Sequence, residues 1–194
     1  MGIRIGVLAL QGNVSEHMDA FRRALAVMNL SGTSSVTGVR DAREIPGLDA
    51  LAIPGGESTT ISRLIDKNQM REAITGFDGG IFATCAGMVL MATCVDDPRL
   101  SPLGLIPMNV DRNAFGRQKD SFEADLEIAG LDTPYHTIFI RAPVVTSVGE
   151  GVEVLSRIPK GIVAVRHGLH YALSFHPELG TDPRLHVQFI RGLR

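Results

Sequence analysis

Hydrophobic positions change period once within the first thirty residues. Residues 3–10 form a nearly unbroken aliphatic run, the pattern of a strand buried on both faces. After the Gln11-Gly12 turn, Val14, Met18, Phe21, Leu25 and Met28 recur at spacings of four, three, four and three, which predicts one apolar helix face. Asn13, followed three residues later by Glu16, predicts a capping box at the start of that helix. A strand running into an amphipathic helix is the first half of a βαβ unit.

The same reading predicts strands at 50–54 and 81–84 and helices at 60–68 and 86–93. Pro54-Gly55-Gly56 stops the first of these strands, and Asp96-Asp97-Pro98 stops the second helix. Residues 35–39 make a weaker strand, polar and irregular. From 122 to 128 apolar and acidic residues alternate, the mark of a half-buried antiparallel strand. Further strands are predicted at 137–140, 153–158, 162–166 and 171–175, and a closing helix at 184–193. No repeat, low-complexity tract or linker interrupts the pattern. The expected fold class is α/β: an open, mostly parallel sheet flanked by helices, with an additional antiparallel β section, in a single domain over 1–194.

Composition narrows the function classes. Nineteen basic against twenty-one acidic side chains give a formal net charge of −2, which argues against nucleic acid or an anionic membrane as the main partner. No apolar run reaches the roughly 18–20 residues of a membrane span. The opening Met1-Gly2-Ile3-Arg4-Ile5 reads as a strand rather than a secretory signal. Cys85 and Cys94, on one helix, would stand about 13 Å apart, too far to bridge. No Cys/His cluster has zinc spacing, so no metal is expected. Two free thiols fit a reducing, cytoplasmic setting, with Cys94 expected in the core.

Three segments carry unusual chemistry to the carboxyl edge of such a sheet, where ligands bind: Pro54-Gly55-Gly56-Glu57-Ser58, Cys85-Ala86-Gly87 and His176-Pro177-Glu178. Cys85 falls on the turn between a predicted strand and helix, flanked at minus two and plus two by Ala83 and Gly87. Small residues there let the turn close and leave the thiol at its tip, with a helix dipole that favours thiolate. A thiolate catalyst also needs a proton shuttle and a group to orient it. His176 ends a predicted strand, whereas His170 begins it, so only His176 reaches the right edge if that strand is parallel to the one before Cys85. Glu178, two residues on in extended chain, can hold the other imidazole nitrogen. His17, His136, His167, His170 and His186 are assigned to surface or packing roles. The backbone N–H groups of Ala86 and Gly56 are the expected oxyanion donors. Taken singly, a buried Cys, a Gly-Gly turn or a His near a strand end is more often structural; the ordered set is the specific signal.

At these residues the chain resembles the class I glutamine amidotransferases, and within them the glutaminase subunits of pyridoxal 5′-phosphate synthase. The stretches LALQG (8–12), IPGGEST (53–59), FATCAG (82–87), DRNAFGRQKDSFEADL (111–126), FIRAP (139–143) and SFHPE (174–178) carry the likeness. It implies Cys85 as nucleophile, His176 as base and then acid, and Glu178 as the orienting carboxylate. It also implies that Gly55, Gly56, Glu57, Arg112, Ile140 and Arg141 contact bound glutamine, and that Gln11 belongs to the contact with a synthase partner. An arginine fork suits the substrate carboxylate, although either arginine alone would read as surface solvation. The implied partner is a synthase subunit, in a large hetero-oligomer, that receives the ammonia; the implied glutaminase is nearly silent without it and needs no cofactor of its own. A glutaminase serving another amidotransferase, or a non-catalytic regulatory subunit on the same fold, are the alternatives. Two departures stand out: Ala83, where the family commonly has Gly, predicts slight crowding of the elbow, and the polar second strand puts local sheet geometry in question.

Overall fold

The computed structural model describes residues 2–115 and 121–193. The centre of the 111–126 motif, residues 116–120, lies outside the described residues. Strands β1 (Arg4–Leu8), β2 (Ser35–Val39), β3 (Ala50–Ile53), β4 (Gly80–Thr84) and β12 (His170–Leu173) lie side by side in the order β2-β1-β3-β4-β12, all parallel. Beyond β12 the sheet turns antiparallel through β11 (Gly161–His167), β9 (Val144–Val148) and β6 (Ile106–Asp111), with β10 (Val152–Ile158) pairing β11. It ends on β5 (Ala92–Val95), parallel to β6. Strands β7 (Ser121–Leu126) and β8 (Tyr135–Ile140) form a separate antiparallel ribbon.

The strand period of two divides the aliphatic runs between two cores. Ile5, Val7, Ala50, Ala52 and Phe82 turn to one face, under α1 (Val14–Val27) and α5 (Arg184–Gly192). Leu8, Leu51, Ile53, Ile81 and Ala83 turn to the other, under α2 (Ser58–Lys67), α3 (Arg71–Thr75) and α4 (Ala86–Met91). Burial on both sides explains why these strands read as continuous apolar runs.

The sheet is therefore parallel with an antiparallel extension, as expected, and the weak strand 35–39 takes its place in full parallel register with β1. Ala83 is likewise accommodated, paired with Ile53 and Ala172 on either side. Two expectations need correction. Helix 86–93 stops at Met91, and Ala92 turns into the extended strand β5. Cys94 is consequently not core: it lies on an edge strand and is exposed. Strands β6 and β9 and helix α3 were not expected. Pro107 inside β6 masks its pattern, and α3 is only five residues long.

Candidate active site

Three parallel strands end at one edge, and each delivers part of the site. Strand β4 runs into Cys85, which takes φ +49°, ψ −106°, a left-handed conformation rare for a residue with a Cβ. The neighbours over-determine it. The Cys85 N–H donates to the Leu173 carbonyl of β12 at 2.7 Å. Gly87 sits so close to β3 that a Cβ there would lie 2.3 Å from the Ile53 carbonyl oxygen and 3.2 Å from the Ala83 Cβ. Strain of this kind persists where a side chain must be presented at a turn.

Strand β3 ends in Gly55-Gly56. A Cβ on Gly55 would lie 2.5 Å from His176 Cε1 and 3.3 Å from Cys85 Cβ, so both side chains pack against this glycine. The Gly55 N–H is taken by Thr84 Oγ1 at 3.2 Å. Gly56 adopts φ +149°, and among the described residues neither its N–H nor that of Ala86 has a protein partner. Gln11 closes the turn from the side: its Oε1 accepts from the Glu57 N–H at 3.0 Å and fills the place a Gly56 Cβ would need.

Strand β12 delivers His176, because it is parallel to β4. His176 Nδ1 and Glu178 Oε1 are 2.7 Å apart, and both side chains are buried. The link is a 3-10 turn, Pro177–Leu179, and not the extended chain expected; the hydrogen bond forms all the same. Burial works against the imidazolium, yet the hydrogen bonds to Cys85 and Glu178 outweigh it, and His176 titrates above the ordinary imidazole range. Burial also opposes the Glu178 carboxylate, but His17 and His176 beside it hold its pKa below the usual range.

These groups open on a cleft of about 660 Å³, also lined by Glu57, Arg112, Ile140 and Arg141. The Ile140 carbonyl oxygen is 3.8 Å from Cys85 Sγ, and Arg141 holds φ +46°. Arg112 is not a freely solvated charge: it is ion-paired with Asp97 at 2.6 Å and with Glu57. Glu57 in turn caps α2 through the Thr59 N–H. A zwitterion entering the cleft meets cation and anion already side by side.

Three neighbours were not read from the sequence as part of the site. The Asn13 side chain makes no cap for α1; its amide Nδ2 donates to Glu178 Oε1 at 3.3 Å instead. His17 is fully buried, with Nε2 3.0 Å from Thr84 Oγ1 and 3.5 Å from Glu178 Oε1, which corrects its assignment to a surface or packing role. Asp97 is the third. The available signal was spacing: residues four apart share a helix face. The other histidines divide as expected between packing and surface. His186 is buried between Phe21 and Phe82, and His136 is exposed between Glu123 and Asp125.

Many known proteins match this chain in sequence and in fold. A sequence profile described as the SNO glutamine amidotransferase family matches residues 7–194. The chain is 65% identical to the pyridoxal 5′-phosphate synthase subunit PdxT of Methanosphaerula palustris over 193 residues, covering 100% of this chain and 98% of that protein. It is 64% identical to the subunit of the same name from Methanoculleus marisnigri, covering 100% and 99%. A crystal structure described as glutamine amidotransferase superposes with a TM-score of 0.85 at 43% identity, covering 97% of this chain and 98% of that one. Matching over almost its whole length in sequence and in fold, the chain belongs to the SNO glutamine amidotransferase family.

Proposed function

We propose that this chain is the glutaminase subunit of a pyridoxal 5′-phosphate synthase. It hydrolyses glutamine to glutamate and ammonia and passes the ammonia to a synthase subunit. The relatives at 65% and 64% identity are named pyridoxal 5′-phosphate synthase subunit PdxT and are covered nearly end to end. The observation that carries the chemistry is that Cys85 and His176 line one cleft, with the buried Glu178 behind the ring, its Oε1 2.7 Å from His176 Nδ1.

The Cys85 thiol gives its proton to His176 as Sγ adds to the side-chain carboxamide carbon of glutamine, and the carbonyl oxygen becomes an oxyanion. The N–H groups of Ala86 and Gly56 receive it, both without a partner among the described residues and both on the cleft wall. His176, whose raised pKa keeps a proton available near neutrality, gives that proton to the departing nitrogen. Ammonia leaves and a γ-glutamyl thioester remains. Water loses a proton to His176, attacks the thioester carbon, and releases glutamate and the thiol. Glu178 keeps the imidazole in orientation and balances its charge throughout.

Arg112 and Arg141 meet the substrate α-carboxylate, and Glu57 its ammonium, with Gly55, Gly56 and Ile140 forming the wall. Gln11, on the rim beside Gly56, contacts the synthase. The ammonia is consumed inside a hetero-oligomer of the two subunits in the cytoplasm. The catalytic chain is one domain over 1–194 and uses no cofactor. The test is glutamate release with the synthase subunit present. Cys85→Ala is expected to lower it by about 10³-fold or more, and a variant that still turned over at the wild-type rate would end the assignment.

A further inference from the structure

Glu178 is surrounded in a lopsided way. His176 Nδ1, the Asn13 amide and the His17 ring all address one oxygen, Oε1, at 2.7, 3.3 and 3.5 Å. The other oxygen, Oε2, is buried without a partner among the described residues. Asn13 and His17 come from one turn of α1, one residue before its start and within it. His17 also reaches Thr84 Oγ1 at 3.0 Å, and Thr84 Oγ1 accepts from the Gly55 N–H. One ring therefore reaches both the carboxylate of the site and Thr84, the residue before the nucleophile, which also anchors the Gly55-Gly56 turn.

The ring's protonation follows from its surroundings. His17 is fully buried, and burial drives its pKa below the ordinary value, so the ring is neutral near pH 7 and carries one N–H. Its Nδ1 has no partner. A proton there would be a buried donor without a partner among the described residues, whereas on Nε2 it is donated to Thr84 Oγ1. His17 Nε2 thus donates to Thr84 Oγ1 at 3.0 Å and turns its N–H edge toward Glu178 Oε1, 3.5 Å away. His186 supplies the contrast: it is equally buried in the same layer, yet neither ring nitrogen has a partner, and the ring packs against Phe21 and Phe82. That is a packing histidine, and His17 is not one.

We infer that Asn13 and His17 are positioning residues for glutamine hydrolysis, holding the Glu178 carboxylate and the Thr84–Gly55 link in place while His176 gives and takes its proton. The need arises within the cycle. When His176 is protonated, Glu178 has a cationic partner. Once the proton has gone to ammonia, Glu178 is a buried charge beside a neutral ring, and neutral donors must stabilise it. The inference rests on the glutaminase reading above.

The experiment measures steady-state glutaminase kinetics of the chain with the synthase subunit, for wild type, Asn13→Ala, His17→Leu and His17→Gln. Glutamine carries a donor near the place of imidazole Nε2; leucine does not. His17→Leu is expected to lower kcat about 10-fold or more with KM for glutamine changed less than twofold. Asn13→Ala, half-exposed and mild, is expected to lower kcat about threefold, and His17→Gln to recover most of the loss. Equal losses in His17→Gln and His17→Leu, or wild-type kcat in both His17→Leu and Asn13→Ala, overturn the proposal. If His17→Leu does not fold, the other two variants decide by the same criteria: His17→Gln near wild type with Asn13→Ala reduced supports it, and any other pattern overturns it. A wild-type complex that releases no glutamate is a different result, and refutes the glutaminase reading itself.

Discussion

At the scale of single residues, the site depends on where side chains are missing. Gly55 lies against Cys85 and the His176 ring with no room for a methyl group, since a Cβ would come within 2.5 Å of that ring. Gly55→Ala is expected to abolish glutaminase activity by displacing His176, while costing only about 1–2 kcal/mol of stability; activity at the wild-type level with the alanine present would show that the ring does not need its observed place. The motif residues were legible because their chemistry is written in their types and neighbours: a cysteine between small residues, and His-Pro-Glu after an apolar run. Asn13 and His17 were legible as helix residues only. Their second role comes from Glu178, 165 positions away from Asn13 in the chain, and local pattern carries no information about that distance.

Among the elements, α1 was the clearest in the sequence, because its apolar spacing matches the helical period over four turns. Its buried face includes Phe21, Ala24 and Leu25, and Phe21 contacts Phe82 of β4 and Phe189 of α5 edge-on at 5.5 and 6.1 Å. Phe21→Ala is expected to destabilise the fold by about 3–5 kcal/mol through the transfer and cavity terms, read as a lower midpoint in chemical denaturation. A loss under 1 kcal/mol would mean that α1 is held mainly by its polar contacts at the site. Strands β5, β6 and β9 were illegible for the opposite reason. They are short, and β6 carries a proline. They pair at the far end of the sheet, where one face meets solvent and the apolar run breaks up.

For the whole molecule, two cores on the faces of one sheet bury titratable groups as well as apolar ones. His186 has its pKa pushed down to about 3 by burial, with His17 nearby acting the same way, and His17 is itself lowered. Below pH 6.5 the unfolded chain takes up protons that these rings cannot take in the native state. Stability is therefore full above about 6.5 and falls as pH drops toward 3, by up to about 1.4 kcal/mol per pH unit per group. His176 has the opposite sign: raised in the fold, its contribution is complete below 6.5 and lost as pH rises through its folded value. It cannot offset the acid loss. Denaturation midpoints are expected to drop between pH 7 and pH 5, and less steeply in His186→Leu. Equal slopes for the two proteins would show that this ring does not set the acid limit.

By itself the sequence determined the fold class and the order of the parallel strands' motifs, and it singled out Cys85, His176 and Glu178 as the candidate nucleophile, histidine and carboxylate. Those features are local: period, turn chemistry and residue type act within a few positions of each other. Only the tertiary structure decided that β12 lies parallel to β4 and brings His176 to Cys85. It also decided that Arg112 is already paired with Asp97 and Glu57, and that the first turn of α1 reaches Glu178. These are contacts between distant segments, fixed by how the two cores pack against the sheet, and no stretch of chain records them on its own.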